Sequence, residues 1–187
     1  MTHKILIAGF GGQGVMLMGQ LLGYSACAAG KQVSFFPAYG AEQRGGTANC
    51  TVVISDEEVG APNPRTLDTL VIMNEPSLSK FRGRLKPGGN LILNADLVKS
   101  EVTDTDAKVY RIPIVSMARE LGNARVANVM MAGAIIEITG VLEEDVVAAV
   151  AAQKLGKTEE LAELNKRALA EGIAFGRRCG TAEESKA

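Results

Sequence analysis

The chain has 187 residues, 47% of them hydrophobic, with 20 Lys plus Arg against 21 Asp plus Glu. That length suits one domain that buries a core without disulfides or metals. A formal charge of −1, 4% aromatics and no Trp exclude a basic face and a base-stacking platform, so nucleic acid is not expected as a partner.

Residues 4–8 (KILIA) form a continuous apolar run, the pattern of a strand buried on both faces. Residues 9–14 (GFGGQG) are a glycine-rich turn. Residues 15–29 carry Leu17, Leu21, Leu22 and Ser25 at helical spacing, and Gly30 suits the helix end. A second strand spans 32–36, so the chain opens strand, turn, helix, strand. Residues 37–46 (PAYGAEQRGG) are a polar loop, 47–54 a β-branched alternating strand, and 55–64 a loop closing in Pro-Asn-Pro. A short strand at 70–73, a helix at 77–84, a turn at 86–89 (KPGG) and a strand at 90–94 follow. Residues 98–107 read as an exposed connection and 109–112 as the last strand. Helices are then predicted over 114–121, 126–138, 143–155 and 158–177, the last capped by Thr158 with Glu159 and Glu160 in its first turn.

Strands alternating with helices predict a three-layer α/β/α single domain over residues 1–180, with a flexible tail at 181–187. The stretch between Phe35 and Ile54 has no room for a crossover helix. The expected sheet is therefore mixed but mostly parallel, with a Rossmann-like opening βαβ and a helical C-terminal third. The start of the chain does not read as a signal peptide and no apolar run is long enough for a bilayer, so a cytoplasmic protein without membrane contact is expected. Cys27, Cys50 and Cys179 lie far apart in sequence, with no C-x-x-C. Cys27 and Cys50 read as small buried hydrophobes in a reducing compartment.

Gly9, Gly11 and Gly14 fit G-x-G-x-x-G between a strand and a helix. Glycine permits positive φ there, and the N–H groups of a helix start can receive an anion. A dinucleotide site would also place an acidic residue at the end of the second strand. That strand ends Ser34-Phe35-Phe36-Pro37, and the first carboxylate is Glu42 in the next loop. NAD, NADP or FAD binding by a Rossmann-type oxidoreductase is thus a secondary reading. The doubled Gly11-Gly12 and the Gln13 amide make this turn more polar than structure requires. Gln13 either faces a ligand or neighbouring subunit, or is a surface glutamine.

The second unusual segment brings Tyr39, Gly40, Glu42, Arg44, Gly45 and Gly46 into one loop. Arginine offers a planar fork for carboxylate or phosphate. The simpler alternative is a surface ion pair between Glu42 and Arg44, which would contribute little. Asn74 with Glu75, and Asn94 with Asp96, follow strand ends, where α/β proteins place ligand groups, although turn formation explains them as well. Lys4, Asp96 and Glu101 otherwise read as solvated. Met130, Met131, Ile135 and Ile136 read as core, and Asn128 in that apolar helix needs a partner if buried.

GFGGQG, PAYGAEQRGG running into TANCTVVIS, the turn VGAP and the later ELGNARVANVMMAGAI, with Asn128 and Gly133, resemble the gamma-subunit family of 2-oxoacid:ferredoxin oxidoreductases. The resemblance runs from about residue 5 to about residue 140. It implies one subunit of a complex that converts a 2-oxoacid and coenzyme A to acyl-CoA and carbon dioxide while reducing ferredoxin. The free-standing length is most like the 2-oxoglutarate type. Such complexes use thiamine diphosphate, magnesium and iron–sulfur clusters, carried by thiamine-binding and cluster-binding partner chains. The isolated chain is also expected to admit a homodimer.

This chain has no G-D-G…Asn thiamine-metal motif and no grouped cysteines, and its one histidine, His3, sits at a start expected to fray. No cofactor or metal is therefore expected on this chain alone, and no catalytic residue is assigned. Gly9, Gly11, Gly12, Gln13 and Gly14 are expected to form the cofactor-facing loop. Tyr39, Gly40, Glu42, Arg44, Gly45, Gly46 and Asn128 are expected to border the active site or an interface. A pure assembly role is the third reading.

Overall fold

The computed structural model describes residues 1–40 and 46–184. Nine-residue β1 (Thr2–Phe10) leads into α1 (Val15–Ala28), then β2 (Gln32–Tyr39), β3 (Thr47–Ser55) and β4 (Leu67–Ile72). Next come α2 (Glu75–Phe81), a 3-10 turn (Arg82–Arg84), β5 (Leu85–Asn94), β6 (Lys108–Ile112) and α3 (Ile114–Glu120). A second 3-10 turn (Ala124–Val126) precedes α4 (Ala127–Thr139), α5 (Glu144–Leu155) and α6 (Glu159–Glu184).

The six strands lie in the order β2-β3-β1-β4-β5-β6. β1 is parallel to β4, and β4, β5 and β6 continue in parallel. Only β3 runs against its neighbours, antiparallel to both β1 and β2. The sheet is thus mixed and mostly parallel, as the sequence predicts. The opening βαβ has an inserted member: β1 and β2 point the same way, but β3 lies between them. The β2–β3 link is too short for a crossover, so β3 must return as a hairpin partner.

Alternation along β1 divides the core in two. Ile5 and Ile7 face α1 and the C-terminal helices, together with Met18, Leu22, Met131 and Ile135. Leu6 and Ala8 face the other side, with Leu70, Ile72, Leu78, Phe81 and Val98. Fully burying each large aliphatic chain contributes about 1.5–3 kcal/mol relative to exposure. The layers are unequal: α2 and the segment after β5 cover the second face, whereas α4 and α6 pack against each other over the first. Gly172 of α6 permits that close crossing, since a Cβ there would lie 1.8 Å from the Met130 carbonyl of α4.

Several expected boundaries move. β2 continues through Pro37 to Tyr39, which the sequence places in a loop. The KPGG turn lies within β5, because Leu85 pairs with Leu67 and Asn90 with Thr69, leaving residues 86–89 as an excursion with Gly88 at φ 70°. Residues 98–107 are not simply exposed: Val98 is fully buried in the second core cluster, and Val102 and Ala107 pack against that cluster. α6 runs past its expected end at 177 to Glu184. Gly30, at φ 71°, closes α1 as expected, with Lys31 N donating to Ala26 O at 2.9 Å. Among the described residues, no helix is long and apolar enough to cross a membrane.

Candidate functional site

β1 hands the chain to α1 on one face of the sheet, and neighbouring β4 hands it to α2 on the other. A crevice opens between two such strand ends, where open α/β sheets receive ligands. The glycine turn lies at this point. Its first half continues the sheet: Gly11 N donates to Gly46 O at 3.0 Å, one step beyond the Phe10–Thr47 register. Gly46, the end of the second glycine motif, therefore meets the first motif in space.

Gln13 is not a surface glutamine. Its Oε1 accepts from Phe10 N at 2.7 Å, and its Nε2 donates to Met73 O at 3.2 Å, just past β4. Both ends of the amide are engaged, so Gln13 ties the turn to the neighbouring strand end. Gly9 fits beneath it, since a Cβ there would lie 2.5 Å from Gln13 Oε1 and 2.8 Å from Met73 Cβ. Asn74 caps α2 by accepting from Ser77 N at 3.1 Å, and its Nδ2 lies 3.5 Å from Gln13 Oε1. Fully buried Asn94 donates to Met73 O at 3.2 Å and accepts from Asp96 N at 3.2 Å.

Asp96 is a helix cap rather than a solvated charge. Its carboxylate accepts from Val115 N at 2.7 Å, from Ser116 N at 3.0 Å and from the Ser116 hydroxyl at the start of α3. Partial burial works against ionisation, but the bonds from Ser116 and Val115 prevail and hold the Asp96 carboxyl below its ordinary range. Glu75 is occupied similarly, accepting from the amides of Lys99 and Ser100.

Gly14 starts α1 at φ 74°, without a side-chain cap and with no acidic residue in the first turn. Among the described residues, the first N–H groups of this 14-residue helix thus meet no built-in anion. Asn128 of α4 lies directly over Gly14: a Cβ there would be 2.2 Å from Asn128 Nδ2. The half-buried Asn128 turns its Oδ1 to Val129 N at 2.8 Å, leaving the Nδ2 end beside the glycine turn. Between these elements lies a cavity of about 240 Å³ lined by Gly12, Gln13, Met73, Val115, Arg125 and Asn128, with Ala124 and Ala127. Arg125 is exposed at its edge. The sequence reading passed over Met73, Val115 and Arg125. Arg125 stands within the ELGNARVANVMMAGAI segment, three residues before Asn128, which was the available signal.

The second loop is described only at its ends. Tyr39 finishes β2 with its side chain exposed, and Gly40 N donates to Thr47 O at 2.8 Å. Glu42, Arg44 and Gly45 lie outside the described residues, and with them the Glu42–Arg44 pairing.

His3 lies within β1 and does not fray: its Nε2 is 2.9 Å from Thr69 Oγ1 at the opposite end of the sheet from the cavity. Burial lowers its pKa from the ordinary value, Asp68 opposing and Lys86 assisting. Cys50 is buried, donates to Val15 O at 3.4 Å, and has its thiol pushed up by burial to about 12. Cys27, expected to be buried, is exposed on α1. Met130, Met131, Ile135 and Ile136 are core residues, as expected. Among the described residues, no group of three or more His, Cys, Asp or Glu could hold a metal ion.

Among similar proteins, the 2-oxoglutarate synthase subunit KorC of Methanothermobacter marburgensis is 41% identical over 149 residues, covering 76% of this chain and 80% of that one. The ketoisovalerate oxidoreductase subunit VorA of Methanothermobacter thermautotrophicus is 40% identical over 176 residues. That match takes in 93% of this chain but 36% of VorA, so the chain spans little more than a third of that relative's length. Among solved structures, the gamma subunit of a keto/oxoacid ferredoxin oxidoreductase from Geobacter sulfurreducens superposes with a TM-score of 0.86 at 28% identity, covering 96% of this chain and 98% of that one. A 2-oxoglutarate:ferredoxin oxidoreductase chain from Magnetococcus marinus, solved with 2-oxoglutarate, coenzyme A and succinyl-CoA bound, gives 0.86 at 26% identity over 95% of this chain and 31% of that one. The pyruvate ferredoxin/flavodoxin oxidoreductase family model matches residues 4–175, and the chain belongs to that family.

Proposed function

We propose that this chain is the gamma component of a 2-oxoacid:ferredoxin oxidoreductase, and that its switch-point cavity receives one end of the coenzyme A used by the assembled complex. The single observation that carries this reading is one cavity lined by Gly12, Gln13, Asn128 and Arg125, with Asn128 packed over Gly14 at the uncapped start of α1. Backbone N–H groups at a helix start and a guanidinium both suit a phosphate. About 240 Å³ suits part of a coenzyme, so the rest would lie against partner chains.

The residues here do not fit the complex's other groups. Cys27 is exposed on α1, Cys50 is buried in β3 and Cys179 lies on α6, so the thiols do not converge on a cluster. The carboxylates at the cavity's end of the sheet, Glu75 and Asp96, already accept backbone hydrogen bonds. Thiamine diphosphate, magnesium and iron–sulfur clusters are accordingly assigned to partner chains, and this chain's part is to bind and orient. The bond from Gly11 N to Gly46 O brings the end of the second glycine loop to this region, which supports a bordering role for Tyr39, Gly40, Glu42, Arg44, Gly45 and Gly46 as part of the proposal. A cytoplasmic location and passage of electrons to ferredoxin through the partners belong to this proposal.

The KorC relatives support 2-oxoglutarate as the oxoacid, since they match most of their own length. The VorA relatives support a branched-chain oxoacid, since they match more of this chain. Purification from the native host should recover larger chains with clustered cysteines. The assembled complex should reduce a viologen with a 2-oxoacid only when coenzyme A is present. Arg125→Ala and Arg44→Ala should each raise the KM for coenzyme A, with the chain still folded. Appreciable turnover by the isolated chain would refute the assignment; an unchanged KM in both variants would remove the site from it.

A further inference from the structure

β2 is the outermost strand of the sheet, and its outer rim has no hydrogen-bond partner among the described residues. The register fixes which groups that rim presents. Gly40 N donates to Thr47 O, one step beyond the Tyr39–Ala48 pairing, so even-numbered residues of β2 exchange bonds with β3. Odd-numbered residues turn their backbone groups outward: Val33, Phe35, Pro37 and Tyr39. The other rim of β3 agrees, because its even-numbered residues face β1, as in Gly11 N to Gly46 O and Asp56 N to Met1 O.

The strand reads QVSFFPAY, without one charged side chain. Phe36 is 42% exposed and Tyr39 64%. Uncharged, aromatic, β-prone edge strands pair readily with copies of themselves. Lysines, bulges and very short strands are the usual protections. Here the strand has eight residues and its register is unbroken. The protection left is proline at an outward-facing position, where the ring nitrogen carries no hydrogen.

We infer that Pro37 keeps the free rim of the sheet from pairing with the β2 strand of a second copy of this chain. In a twofold antiparallel pairing centred on Phe36, Phe35 of each copy would lie opposite Pro37 of the other. The two bonds nearest the axis would then lack their donors, each Phe35–Pro37 pair would keep only the bond from Phe35 N to the Pro37 carbonyl, and only the Val33–Tyr39 pairs would close with both bonds. Any antiparallel register that includes Pro37 loses one donor from each copy.

The test is a concentration series of the full chain by sedimentation velocity, for wild type, Pro37→Thr and Pro37→Ala. Each variant restores the outward N–H, and self-association should tighten by at least about tenfold through the two regained bonds. Amide exchange at Val33 and Phe35 should slow in parallel. Adding Phe36→Lys to Pro37→Thr should reverse the gain by setting like charges against each other across the axis. Variants that stay folded and associate no more tightly than wild type would overturn the inference. Loss of fold in both single variants would overturn it too, by showing that the ring holds the strand rather than guarding its rim. Wild type already protected at Val33 and Phe35 by self-pairing would do the same.

Discussion

Gly14→Ala separates the two constraints that act at the start of α1. Gly14 sits at φ 74°, so any side chain there costs about 1–2 kcal/mol in backbone strain. The added Cβ would also stand 2.2 Å from Asn128 Nδ2, 2.7 Å from its Cβ and 2.8 Å from its Cγ. No rotamer of Asn128 moves its own Cβ, so α4 or the turn must shift, at about 1–3 kcal/mol. The expected total is roughly 2–5 kcal/mol. Gly12→Ala is the internal control: φ is 97°, yet none of the described residues lies within 4 Å of the added carbon. Its cost is backbone strain alone, about 1–3 kcal/mol. Urea unfolding of both variants should therefore show Gly14→Ala as the more damaging. In the double variant Gly14→Ala/Asn128→Gly the steric part should be regained, beyond the roughly 1 kcal/mol that glycine costs in a helix. Equal losses at Gly12 and Gly14, or strict additivity with Asn128→Gly, would refute the packing of Asn128 on the turn.

Gln13→Ala removes the acceptor for Phe10 N and one of two donors to Met73 O, and should cost about 1–3 kcal/mol by urea unfolding. A neutral result would mean that water replaces the amide. Ser25→Ala should stabilise by about 1 kcal/mol, because the Ser25 hydroxyl is buried without a partner among the described residues; a destabilised variant would reveal a hidden bond. For His3, the folded-state pKa lies below the unfolded value, so the unfolded chain binds more protons between the two. Stability should then fall as pH drops from the ordinary histidine value towards the lowered one, and be level above it. His3→Gln should flatten that slope between about pH 7.5 and about pH 5, where carboxylates remain ionised; an unchanged slope would assign the effect elsewhere.

The elements most legible in the sequence were those fixed by local periodicity. KILIA, the α1 repeat and the C-terminal helices all begin within two residues of their predicted starts, because a continuous apolar run or a 3.6 period leaves few alternatives. The mixed sheet was legible for a different reason: the space between Phe35 and Ile54 cannot hold a crossover. The inserted position of β3 was not, since strand order depends on which edges meet and leaves no periodic trace. Pro37 hid the end of β2, because proline ordinarily punctuates strands and only the finished sheet shows that its nitrogen faces outward. The structural roles of Gln13, read as ligand-facing or surface, of Asn94, read as a strand-end ligand or turn residue, and of Asp96, read also as solvated, stayed hidden because their partners are backbone groups distant in sequence, 60, 21 and 19 residues away in the bonds that define them.

The cavity also explains why a chain with so little titratable chemistry has an elaborate helical third. The glycine turn alone would be an open strand-to-helix corner, floored by Gln13 and Met73. Its far wall is Asn128 at the start of α4 with Arg125 in the 3-10 turn just before it. α4 is nearly all buried apolar surface, so its position is set by what packs on it. The close approach of α6 through Gly133 and Gly172 provides that packing. A Cβ at Gly133 would lie 2.4 Å from Leu169 O, so the two helices lock at main-chain distance, which leaves little freedom to slide. A displacement of α6 would accordingly be felt at Asn128 over Gly14, and the shape of the cavity depends on a helix that lines no part of it.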